Sequence, residues 1–178
     1  MGLYFCRRKS VNMKRITLNF VDGDLMVPFV KFTSGGKDLY AILDTGAEST
    51  FISQSILDDF PEIKSETKVE IQGSYSGFSG DSTMDAILSE IQAGIETARG
   101  EKASLDFEAT LSDLSFLSEK VQKRFDYPVT LAMLAGMDFL KRHKAKLDIG
   151  KRTVSLLVRT GRSADSKKSQ NEKEADGR

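Results

Sequence analysis

Hydrophobic and polar residues alternate early in the chain. From Arg15 to Val21, Ile16, Leu18 and Phe20 fall on one side and Thr17 and Asn19 on the other. That two-residue period predicts a half-buried strand. Asp22-Gly23-Asp24 turns the chain, and Leu25 to Phe32 is a second apolar run in which Pro28 marks an edge or irregular position. Ser34-Gly35-Gly36-Lys37 turns it again, into the short run Leu39 to Leu43. Three strands joined by two turns point to an all-β domain.

The pattern continues in the same manner. Ser53 to Phe60 reads as a short helix stopped near Pro61. Thr67 to Gln72 and Ser82 to Gln92 read as strands flanking Gly73 to Gly80, a Gly/Ser-rich stretch that holds Tyr75 and Phe78 and reads as a mobile loop or hairpin tip. Ala93 to Ser104 carries Gly94, Gly100 and several charges and reads as a turn or insertion, and Leu105 to Leu111 alternates as a strand. Leu114 to Phe125 places Leu117, Val121 and Phe125 four residues apart, which predicts a helix with one apolar face. Val129 to Leu134 is a strand, Gly136 to Lys144 a short amphipathic helix, and Leu147 to Val158 a closing hairpin turning at Gly150-Lys151-Arg152. The fold expected is a small closed all-β barrel with one or two short helices. Its organisation is an N-terminal extension (1–14), one domain (15–159) and a disordered polar tail (160–178), which has almost no apolar residue to join a core.

Composition narrows the chemistry. Lys+Arg and Asp+Glu balance at 26 each, so no basic field exists to collect nucleic acid. The single cysteine, Cys6, has no partner within the chain and fits a reducing compartment. The single histidine, His143, rules out a His-rich zinc site. It lies in the basic run Lys141-Arg142-His143-Lys144 and is expected at the solvated surface. No apolar run reaches membrane-spanning length. The protein is expected to be soluble and cytoplasmic, with no metal, cofactor or membrane partner.

One motif carries chemistry. Asp44-Thr45-Gly46 follows the apolar run Tyr40-Ala41-Ile42-Leu43 and precedes Ala47. An Asp and a Gly after a strand also make an ordinary turn. A second element, Leu134-Ala135-Gly136, lies about ninety residues further on and leads into Met137-Asp138-Phe139-Leu140. Taken together, the two elements resemble the retropepsin-like aspartic proteases, the single-lobe family of retroviral, retrotransposon and bacterial members. The resemblance runs from about Val27 to Val158; the middle of the chain matches only in pattern, and over Ala93 to Phe125 it departs from the compact viral members as a segment expected to be longer and more helical.

The resemblance implies an aspartic endopeptidase acting on an extended polypeptide. Asp44 would be the catalytic carboxylate. Thr45, Gly46, Ala47, Leu134, Ala135 and Gly136 would support the active-site loop, with Thr45 buried and its hydroxyl tying two loops together. Tyr75, Gly77 and Phe78 would belong to a flap. Amide hydrolysis by carboxylates needs two of them sharing a proton, one acting on a water and one on the carbonyl oxygen. This chain supplies one Asp-Thr-Gly, so the second carboxylate would come from a second copy related by a two-fold axis. The interface is expected to use segments near the termini, including Thr153 to Val158. Asp138 reads as a helix-start residue that bonds locally, and Glu48, Asp58, Asp59 and Asp148 read as surface acids. An alternative is a catalytically silent retropepsin-fold dimer that acts as a binding or scaffold module. A further alternative is an unrelated β domain in which the triplet is fortuitous.

Overall fold

A computed structural model describes residues 12–21, 27–77, 80–97 and 99–160, with the backbone alone for 71–77 and 80–86. The expected N-terminal extension up to residue 11, the turn Asp22-Gly23-Asp24, Phe78 and the tail from residue 161 lie outside the described residues.

Ten strands and three short helices follow in the order β1 (Met13–Asn19), β2 (Phe29–Ser34), β3 (Lys37–Leu43), β4 (Phe51–Ser53), α1 (Gln54–Asp59), β5 (Ile63–Gly77), β6 (Gly80–Glu96), β7 (Lys102–Ser112), α2 (Ser115–Gln122), β8 (Leu131–Ala135), α3 (Met137–Arg142), β9 (Lys146–Asp148) and β10 (Thr153–Arg159). Six of the strands close on themselves. β7 pairs with β4, β4 with β8, β8 with β3, β3 with β2, β2 with β6, and β6 returns to β7. The remaining strands hang on this ring, β5 on β6 and the β1–β10–β9 group on β7. The fold is therefore mostly strand, closed as a barrel, as expected, with three short helices instead of one or two among the described residues.

Burial explains the patterns. On β7, Ala103, Leu105, Phe107 and Ala109 are all buried on one face; on β10, Val154, Leu156 and Val158 are. These residues join Ile16, Leu18, Ile91, Ala93 and Ile95 in the main core. β3 is buried throughout from Leu39 to Leu43 because both its faces are covered. Leu39, Ala41 and Leu43 face the main core, while Tyr40 and Ile42 join Phe29, Val121, Val129 and Leu131 in a second cluster. α2 covers that cluster, with Leu117, Val121 and Phe125 packed in it as their spacing predicts. A fully covered strand reads as an unbroken apolar run, and this one leads directly to Asp44.

Three expectations need correction. Ala93 to Ser104 is mostly strand: β6 runs to Glu96 and β7 starts at Lys102. The alternation Ile91, Ala93, Ile95 carries straight through Gly94. Gly94 sits where the chain is crossed, its carbonyl accepting from Ser34 Oγ at 2.7 Å and its N–H donating to the Glu62 carbonyl at 3.4 Å. The Ala93 to Phe125 segment is also less helical than expected, with helix only over Ser115–Gln122.

His143 is buried at 5% exposure, not solvated. It lies four residues after Phe139, on the same face, and its ring centroid is 4.5 Å from that of Phe139. The charged neighbours in the run hid this period. Within the chain β10 has neighbours on both sides. β1 covers one edge along its whole length, β9 covers the other from Thr153 to Ser155, and Leu157 N–H donates to the His143 carbonyl at 2.7 Å.

Candidate active site

Asp44 is the first residue beyond β3. The parallel pairing of β3 with β8 aligns Ile42 with Leu134 and Leu43 with Ala135. This register sets the Asp-Thr-Gly turn beside Gly136. Six hydrogen bonds between the two segments fix it, one of them from the Thr50 hydroxyl to the Asp138 carboxylate. Asp44 N–H donates to the Ala135 carbonyl at 2.9 Å, Met137 N–H to the Ala47 carbonyl at 2.8 Å, and Asp138 N–H to the Glu48 carbonyl at 3.1 Å. Gly136 N–H donates to Thr50 Oγ1 at 3.1 Å, and Thr50 N–H donates to Asp138 Oδ2 at 3.1 Å.

Glycine is required at position 136. A Cβ there would lie 2.4 Å from the Ser49 carbonyl oxygen and 3.0 Å from that of Ala47, both backbone atoms. Backbone cannot swing aside as a flexible side chain can, so a larger residue would push the two segments apart. Gly46 has a different task. Its N–H donates to Asp44 Oδ1 at 2.8 Å, and a Cβ there would press on the same oxygen at 3.2 Å.

The sequence-predicted residues divide clearly. Asp44 is half-buried at the end of β3 and has one oxygen held by Gly46. Ala47, Leu134, Ala135 and Gly136 pack around its loop. Thr45, expected to be buried, is exposed in the single chain. Glu48, Asp58 and Asp59 are exposed, as read, and Asp148 is partly buried and accepts from Lys151 N–H at 2.9 Å. Tyr75 and Gly77 lie at the end of β5, where Tyr75 pairs with Ser82 and Gly77 with Gly80. β7 supports β6 only from Ile87 onward. Residues 71–77 and 80–86 therefore form a two-stranded arm beyond the barrel.

Two residues of the site were not foreseen as part of it, Thr50 and Asp138. Asp138 does bond locally, accepting from Phe139 N–H at 2.6 Å. Its stronger commitment is to Thr50, whose N–H and Oγ1–H both donate to its carboxylate. Thr50 is fully buried. The partners are 88 residues apart, and no local period links them. Among the described residues, no group of three or more His, Cys, Asp or Glu side chains is placed to hold a metal ion. No helix among them is long and apolar enough to cross a membrane.

No protein-family model matches the sequence, and no curated protein matches it. The solved structures to which the chain is similar include these two. One is a retropepsin-like aspartic protease from Rickettsia conorii, 13% identical, with a TM-score of 0.40 and coverage of 83% of this chain and 93% of that chain. The other is the retroviral protease-like domain of Ddi1 from Leishmania major, 12% identical, with a TM-score of 0.40 and coverage of 79% of this chain and 99% of that chain.

Proposed function

We propose that this chain is one protomer of a homodimeric aspartic endopeptidase in which Asp44 of each copy forms half of a catalytic dyad. One observation carries the reading. Asp44 of the Asp-Thr-Gly turn is presented half-open to solvent on a loop gripped from behind by Leu134 to Asp138. Such a mounting spends many hydrogen bonds on the loop that bears one carboxylate, which is how a site holds a reacting group in a fixed position. Thr45, exposed beside it, is free to meet a second copy.

In the dyad, two carboxyl groups close together share one proton, because both cannot carry charge at once. The ionised member takes a proton from water as the water oxygen bonds to the peptide carbonyl carbon. The protonated member gives its proton to the carbonyl oxygen. Collapse of the tetrahedral adduct breaks the C–N bond: the carboxyl that took the water proton gives it to the leaving nitrogen, and the other carboxylate takes a proton from an adduct hydroxyl as the new carbonyl forms, which restores the shared proton. The substrate would be an extended polypeptide, and the arm that bears Tyr75 and Gly77 would close over it as a flap.

Cleavage of a proteome-derived peptide library at several protein concentrations tests the reading. Activity should rise more steeply than in proportion to concentration over the range where the dimer forms. Asp44→Asn should abolish cleavage and leave the dimer intact by sedimentation. Dimerisation without cleavage by the native chain would favour the scaffold reading instead.

A further inference from the structure

Both oxygens of the Asp138 carboxylate are engaged, and two of the three bonds go to Thr50, at the end of the loop that bears Asp44. Oδ2 accepts from Thr50 N–H at 3.1 Å, and Oδ1 accepts from Thr50 Oγ1–H and from Phe139 N–H at 2.6 Å. Since Thr50 Oγ1 gives its proton to Asp138, its lone pair is free to accept from Gly136 N–H at 3.1 Å. The proton order is thus fixed as a relay from Gly136 N–H to the Thr50 hydroxyl to the Asp138 carboxylate. The Thr50 carbonyl is also taken, by Thr110 N–H at 2.9 Å, so the residue is anchored to β7 as well.

Thr50 is the last residue of the loop that begins at Asp44, just before β4. The first residue of the loop is tied by Asp44 N–H to Ala135, and the middle by Met137 and Asp138 N–H to Ala47 and Glu48. Removal of the far anchor frees one end of a short loop whose other end carries the reacting group. We infer that Thr50 and Asp138 form a positioning pair that sets the Asp44 carboxylate through the loop between them. Neither touches the carboxylate itself. This inference rests on the proposed protease reading only for its kinetic consequence; the mechanical part stands apart from it.

The chemistry makes the pair sensitive to small changes. Thr50→Val removes the hydroxyl and leaves Gly136 N–H buried without an acceptor. Thr50→Ser keeps the hydroxyl. Asp138→Asn nearly preserves shape, yet its amide must turn an NH2 toward either Thr50 N–H or Phe139 N–H. Each placement sets donor against donor.

Two readouts on the full-length chain test the pair. In the first, the peptide cleaved best from the library is used for steady-state kinetics. Thr50→Val should lower kcat by about tenfold or more with KM nearly unchanged, since the fault is misplacement of a reacting group. Thr50→Ser should restore most of the loss. In the second, amide hydrogen exchange is followed at Asp44 and Met137, neither of which bonds to Thr50. Exchange there should quicken by about tenfold in Thr50→Val, in keeping with the loss of one buried hydrogen bond, and return toward the native rate in Thr50→Ser. If Thr50→Val does not fold, Asp138→Asn takes its place in both measurements.

Native exchange at Asp44 and Met137 in Thr50→Val, with native kcat, would overturn the inference even if the melting temperature fell. If the native chain cleaves nothing while the exchange pattern appears, the pair stands and the protease reading falls.

Discussion

The loop from Asp44 to Thr50 and the arm formed by residues 71–77 and 80–86 are both expected to meet a substrate, yet they are built in opposite ways. The loop is held by a segment about ninety residues away, through six hydrogen bonds and a glycine that no other residue can replace without displacing backbone. The arm is held by its own ladder, from Ile71 opposite Ala86 to Gly77 opposite Gly80, with no third strand beside it among the described residues. A two-stranded ribbon is marginal by itself. One region is fixed by the rest of the molecule and the other can move without it. A protease needs both, a rigid carboxylate and a cover that opens.

The largest effect should come from a break on the rigid side. Gly136→Ala puts a methyl group onto the Ser49 carbonyl and should cost about 3 kcal/mol, the upper range for overpacking at a site that cannot yield. Urea unfolding would measure it. A midpoint equal to that of the native chain would mean that the two segments are not in close contact.

His143 offers a milder loosening of the same side. Its Nδ1–H donates to the Leu157 carbonyl at 2.9 Å, and its buried Nε2 has no hydrogen-bond partner among the described residues. Burial, the main cause, pushes its pKa below the ordinary histidine value; the bond to Leu157 opposes this, nearby Arg142 adds to it and Asp106 opposes it. In the unfolded chain the ring takes up a proton as pH falls below about 6.5, while the folded chain resists it. Below that pH the unfolded state binds more protons, so stability falls with acid. Above it, the ring is neutral in both states and contributes no pH dependence. His143→Gln should flatten this acid-side loss in denaturation curves taken from pH 7 to 5. An equally steep loss in the variant would place the acid sensitivity elsewhere.

The smallest effect on stability should come from the arm. Tyr75→Ala should shift the unfolding free energy by no more than about 0.5 kcal/mol, as expected if the two-stranded arm adds little to the core. It should raise KM for peptide all the same. A stability loss as large as that of Gly136→Ala would show that the arm is part of the core and erase the contrast.

The sequence makes one side of this contrast much easier to read than the other. β3 is legible because both of its faces are covered, which leaves an unbroken apolar run ending at Asp44. Gly136 is legible as a motif, though its reason, the close approach of Ser49, appears only in three dimensions. The bond from Thr50 to Asp138 has no local signature, and the short-range bond to Phe139 makes Asp138 look like a helix-start residue alone. His143 was hidden by charged neighbours although its spacing from Phe139 marks the buried face. Gly94 and the charges around it masked the last rungs of β6, where alternation of Ile91, Ala93 and Ile95 was the better guide.

Subunit mixing tests the central claim most directly. Native chain at a fixed amount is mixed with an equal amount of Asp44→Asn, exchange is allowed to finish, and peptide cleavage is measured. If each active site needs Asp44 from two copies, random pairing should cut the activity to about half that of the native chain alone. Activity unchanged by the inactive partner, with mixed dimers confirmed, would mean that one Asp44 suffices and would contradict the shared dyad.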